Sequence, residues 1–151
     1  MTILLLAIHV LATVFWVGGM AFAYLVLRPA AAPLDPAARL TLWRNVFAKF
    51  LPAVGWAVIA LLVTGFAMTF VTFGGFAGAP VSVHVMTLTG ILMMLLFFHI
   101  VAAPWKRFRT AIDAGDFAQG ARNLDKIRKL VGMNLVLGLL TVVIATTGRY
   151  W

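Results

Sequence analysis

Three histidines, His9, His84 and His99, stand inside long apolar segments, while the Asp, Lys and Arg residues of the chain lie outside them. A polar side chain at such a position is costly, so each is a candidate for function. Imidazole can enter hydrocarbon uncharged and still offer one ring nitrogen as a lone pair to a metal. The chain has no cysteine and no glutamate, and its acids are Asp35, Asp113, Asp116 and Asp125. Disulfides, thiolate metal sites and iron–sulfur clusters are therefore excluded. A metal centre here must be built on imidazole, or on imidazole with thioether.

The elements that position these residues follow from composition. Of 151 residues, 64% are apolar and 11% charged, and mean hydropathy is +1.05. A soluble domain of this size cannot hide so much apolar surface. Four apolar runs, at 3–27, 51–73, 81–103 and 130–147, each approach the ~20 residues that cross a bilayer as helix. The expectation is an all-α integral membrane protein: one domain, an antiparallel four-helix bundle. Met1-Thr2-Ile3 is no basic leader and the first run is too long for a signal peptide, so none is expected.

The net charge of +8 does not point to nucleic acid, because the cations cluster at the ends of the apolar runs. The first connection holds Arg28, Arg39, Arg44 and Lys49; the third holds Lys106, Arg107, Arg109, Arg122, Lys126, Arg128 and Lys129. The second, Gly74 to Pro80, holds no charge, and Arg149 is the one remaining cation. The positive-inside rule puts the first and third connections in the cytoplasm and both termini outside, across a cytoplasmic-type (cell inner) membrane. Asp35-Pro36 and Asp116 are good helix starts. They predict amphipathic extensions on the cytoplasmic side, carrying Leu40, Trp43, Phe47 and Phe50 in one case and Leu124 and Ile127 in the other. Pro52 is expected to kink the second helix.

Depth along the helices then sorts the histidines. His9 lies about 9 Å and His84 about 5 Å below the outer boundary, at 1.5 Å per residue. His99 lies about 22 Å further along the third helix, near the cytoplasmic face. His9 and His84 are thus expected to pair, and two facing imidazoles suit the axial positions of a haem b held without covalent attachment. Arg149 would sit beside a propionate, and Trp16, seven residues after His9 on the same face, would line the pocket. His99 is the alternative ligand; with Met133 it would make a second, inner site. Gly18, Gly19 and Gly90 are read first as helix-packing positions. Met86, Met93 and Met94 raise copper, since thioethers favour Cu(I), but Met also simply packs. Trp105 and Trp151 read as interface anchors.

The order of these residues resembles a known family. His9, then Phe15-Trp16-Val17-Gly18-Gly19-Met20, then Leu27-Arg28-Pro29, is similar to the first helix of the copper-resistance D (CopD) superfamily of small membrane proteins. The glycine-rich turn before His84, His99 followed by Pro104-Trp105, and the closing Gly148-Arg149-Tyr150-Trp151 extend the resemblance over the whole chain. It implies a four-helix module related to haem-b membrane proteins, including HemJ-type protoporphyrinogen oxidases, in which a first-helix histidine matching His9 is a haem ligand. The third helix departs from the HemJ type, because it holds no lysine.

The leading expectation is a b-type cytochrome that moves electrons between a membrane quinol and an acceptor at the outer face, with quinol-linked oxidoreductase activity in view but no catalytic residue assigned. Copper transport or handling through His9, His84 and Met86 is the first alternative. A non-catalytic subunit or assembly factor of a larger membrane complex is the second, and homo-oligomers fit any of the three.

Overall fold

The computed structural model describes residues 2–148 and 150, and among them regular structure is helix throughout. Hydrocarbon offers no partner to a peptide group, so each apolar run satisfies its own backbone as a helix. Helix α1 runs Thr2–Ala30, α2 Pro36–Phe73, α3 Val81–Ala102, α4 Pro104–Asp113 and α5 Phe117–Thr147. Four of the helical stretches are long and apolar enough to cross a membrane, the third being α3 together with α4. The expected amphipathic extensions are the first turns of α2 and of α5, and α4 adds a further amphipathic helix between them.

The capping residues act as their types require. Asp35 accepts from the Ala37 and Ala38 amides at 3.1 and 3.0 Å, and Asp116 from the Gln119 amide at 2.9 Å. Pro52 lies inside α2, which continues past it. Gly74 and Gly75, at φ 69° and 120°, end α2 in a turn that L side chains adopt with difficulty. One local feature has no sequence signal: residues Ala23–Leu27 of α1 form a π turn. It widens the ladder and shifts Arg28, at the exit of the turn, around the helix axis.

Packing is unequal along the bundle. Helix α1 lies mainly on α2, and α3 and α4 lie mainly on α5, whereas α2 and α3 share little contact although they are consecutive. The apolar core gathers toward the end rich in Lys and Arg, here the basic end. It contains Trp16, Trp43, Phe47, Val54, Phe97, Phe108 and Ile127, all at most 5% exposed. Trp43, Phe47, Trp105 and Phe108 form a chain of ring contacts 5.2–6.2 Å apart between α2 and α4. Trp105 is therefore a core residue. The expectation of an interface anchor is corrected: Trp105 stands in the first turn of α4, where its indole packs on Phe47 of α2.

The opposite end, here the histidine end, is open. In segments 2–11, 59–73, 81–92 and 136–147 the buried residues are Thr64, Thr69, Ser82 and Gly138. Inward positions there, such as Leu5, His9, Met68, Met86 and Thr141, are only half-buried. Between the halves, Asn134 of α5 donates Nδ2–H to the Met93 carbonyl at 3.3 Å, and the Thr141 and Thr89 hydroxyls meet at 2.8 Å. A Cβ on Gly138 would sit 2.9 Å from Val17 and 3.1 Å from Met93 Cε, so α1, α3 and α5 converge where only hydrogen fits. Gly138→Val is expected to destabilise the fold by about 1–3 kcal/mol. Gly18→Ala, with nothing within 4 Å of the new atom, should be neutral. Unfolding midpoints of the two variants in detergent check the contrast.

Candidate functional site

His9 projects from α1 onto α2. Its Nδ1 lies 2.8 Å from Thr64 Oγ1, and its Cε1 lies 3.3 Å from the place a Cβ on Gly65 would take. The Thr64–Gly65 pair thus makes a notch: the missing side chain admits the ring and the hydroxyl holds it. Thr64 Oγ1 is also 2.6 Å from the Ala60 carbonyl, to which it donates. A hydroxyl has one hydrogen, so Oγ1 must accept from His9 Nδ1–H. We assign His9 the Nδ1–H tautomer on this basis. Nε2 then keeps its lone pair, on the side of the ring away from Thr64. A hydrogen bond that fixes the tautomer and holds the ring is how metal-binding histidines are commonly oriented. One turn on, Thr13 returns its hydroxyl to the His9 carbonyl at 2.9 Å.

The other expected site residues are placed differently. His84 is exposed and shares a stripe of α3 with Val81, Leu88, Ile91 and Leu95. Its ring lies 6.0 Å from that of Phe76 in the turn between α2 and α3, and Phe76 in turn meets Phe66 and Phe70 of α2. His9 thus meets α2 at Thr64 and Gly65, and His84 reaches the same stretch of α2 through Phe76, which meets Phe66 and Phe70. His99 is exposed near the other end of α3, and Met133 is 56% exposed on α5. Trp16 is 3% exposed and meets Phe97 edge-on at 6.0 Å, within the core. Met93 also packs in the core, and Met86 is half-buried. Arg149 lies outside the described residues, as does Trp151.

Among the described residues, no three or more His, Cys, Asp or Glu side chains converge as a metal cluster. Sequence reasoning found His9 but not its partner. Thr64 is one of several threonines in apolar runs, and only the Gly65 beside it hints that something bulky lies across that face.

Four long apolar helices, basic loops at one end and a lone oriented imidazole at the other define a multi-pass helical membrane protein. Comparison with known families makes this particular: the family model for copper resistance protein D matches residues 44–147, and the chain belongs to that family. The match covers α3, α4, α5 and most of α2, with Thr64 and His84 inside it and His9 outside. An uncharacterized protein of Aquifex aeolicus (strain VF5) is 31% identical over 141 residues, 92% of this chain and 89% of its own length. No solved structure matches the chain.

The His9–Thr64 bond can be measured alone. A double-mutant cycle of His9→Ala and Thr64→Val is expected to give a coupling of about 0.6 kcal/mol, typical of hydrogen bonds between membrane helices. Thr64→Ser should retain it. Unfolding in mixed micelles reads all the variants.

Proposed function

We propose that His9 is a metal ligand through Nε2 in the open end of the bundle, and that the centre it holds is haem b in a membrane cytochrome. One observation carries this: Thr64 fixes the Nδ1–H tautomer and leaves Nε2 bare. The residues present fit such a group. The inward faces around His9 are half-buried and mostly apolar, and a porphyrin would supply the four equatorial nitrogens that this chain lacks. When bound, haem would supply one-electron chemistry. The chain's own part is to ligate from His9, to hold that ring through Thr64, and to surround the site with apolar side chains that keep water out.

His84, on the exposed stripe of α3, is the proposed second ligand, and Arg149 the proposed partner of a propionate. A site open to hydrocarbon suits a lipid-soluble donor, so a quinol is the donor class we assign. By the positive-inside rule we assign the basic end to the cytoplasm and the histidine end, with both termini, to the outside. In that orientation the electron leaves toward the outer face.

Copper handling is the second reading, favoured by the description of the family to which the chain belongs. In this case His9 Nε2 and a thioether such as Met86 would hold Cu(I).

Absorption spectra and metal analysis of protein purified after haem-replete expression separate the two. The expected result is a Soret band in the wild type, lost in His9→Ala. Thr64→Val should weaken haem retention by about 10–100-fold, the usual effect of removing a hydrogen bond that orients a ligand, and Thr64→Ser should restore it. A wild type with no Soret band sinks the haem reading. Copper that binds to this protein and is lost in His9→Ala would then establish the second.

A further inference from the structure

The basic end contains a cavity that the metal reading does not use. It has a volume of about 520 Å³ and lies between the last turn of α1 and the first turns of α2 and α5. Three arginines line it, Arg28 from α1, Arg39 from α2 and Arg128 from α5, and no acid does. Its remaining wall is apolar, with Leu40, Trp43, Phe117 and Leu124.

The arginines are short of partners. Arg128 Nε is buried and bonded to nothing, and its nearest acid, Asp125, is 3.8 Å from Nη1, too far for a hydrogen bond. Asp125 is instead engaged by Lys129 at 3.0 Å. Arg28 lies 5.2 Å over the Tyr24 ring, and its charge, like that of Arg128, also acts on Asp125. Arg39 makes no ion pair among the described residues. Elsewhere at this end an arginine finds an acid: Arg44 reaches Asp113 with two bonds, at 3.0 and 3.2 Å. A buried guanidinium N–H without an acceptor is costly, and three guanidiniums around one cavity also repel each other. An anion with several oxygens removes both costs, and phosphate is the group the guanidinium fork fits.

We infer that this cavity binds the headgroup of an anionic phospholipid, its phosphate held by Arg28, Arg39 and Arg128 and the start of its acyl chains laid on Trp43 and Leu124. Position selects the lipid over free phosphate. Arg28 ends the first apolar run and Arg128 stands two residues before the fourth begins, which puts these two at headgroup level, and Arg39 lines the same cavity. The apolar wall would gain nothing from an inorganic ion.

The test uses the full chain purified in a neutral detergent and native mass spectrometry. Phosphatidylglycerol, phosphatidylcholine and inorganic phosphate are added separately to the wild type, to Arg28→Gln/Arg39→Gln/Arg128→Gln, and to a charge-matched control, Arg107→Gln/Arg109→Gln/Arg122→Gln. Phosphatidylglycerol should be retained over phosphatidylcholine. Each headgroup-level arginine contributes about fivefold, so the cavity triple should lose on the order of a hundredfold in affinity while the control loses far less. If the cavity triple fails to fold, Arg128→Gln alone should lose about fivefold on the same scale. Equal losses in the cavity triple and the control, or equal retention of the two lipids by the wild type, would overturn the assignment. So would inorganic phosphate displacing the lipid at equal concentration.

Discussion

Hydrocarbon provides no hydrogen-bond partner, and everything in this molecule follows from that constraint. The backbone answers it by folding into helices whose ends meet water or a cap. Side chains answer it one at a time. Threonines return their hydroxyls to the carbonyl four residues back, as Thr13, Thr64, Thr69, Thr87 and Thr141 all do. An imidazole cannot reach back in this way. His9 therefore has to take its partner from another helix, and the partner it takes has already given away its only hydrogen. The chemical state of His9 is a product of that shortage. In water the same pair would exchange donors freely, and neither nitrogen of the ring would be set apart.

The two ends of the bundle solve the packing problem in opposite ways. At the basic end, α4 lays Trp105 and Phe108 on Phe47 of α2, so the core extends past the apolar runs into the amphipathic turns. At the histidine end the described residues of the four helices run on with few buried side chains. The dense end is where the cations are, and the looser end is where His9 is. The dense end also fixes the arginines around their cavity, because each comes from a helix whose neighbouring turn is locked into the core.

Much of this was legible in the residues themselves. The four apolar runs, Asp35 and Asp116 as caps, the amphipathic stretch from Leu40 to Phe50 and the candidacy of His9 all follow from local patterns that the membrane enforces strongly. What was not legible depends on which helix faces which. Depth puts His9 and His84 at one level, yet depth says nothing of rotation about the helix axis, so the sequence could not show that His84 shares a stripe of α3 with Leu88 and Leu95. Thr64 could not be chosen from among the other threonines without knowing that α1 lies on α2. Trp105 reads as an anchor only until its indole is seen to pack on Phe47, and the three arginines of the cavity are scattered over a hundred positions of sequence.

The slight contact between α2 and α3 has a consequence for how the molecule is built. Helices α1 and α2 make one hairpin, and α3 to α5 make another, joined by the uncharged Gly-Gly turn. During synthesis each hairpin can enter the bilayer as a paired unit before the other exists, with its own polar bond already made: His9 to Thr64 in the first, Thr141 to Thr89 in the second. The seam between the hairpins closes last, on Trp16 and Phe97 and around Gly138. Assembly in the lipid is then a docking of two preformed halves.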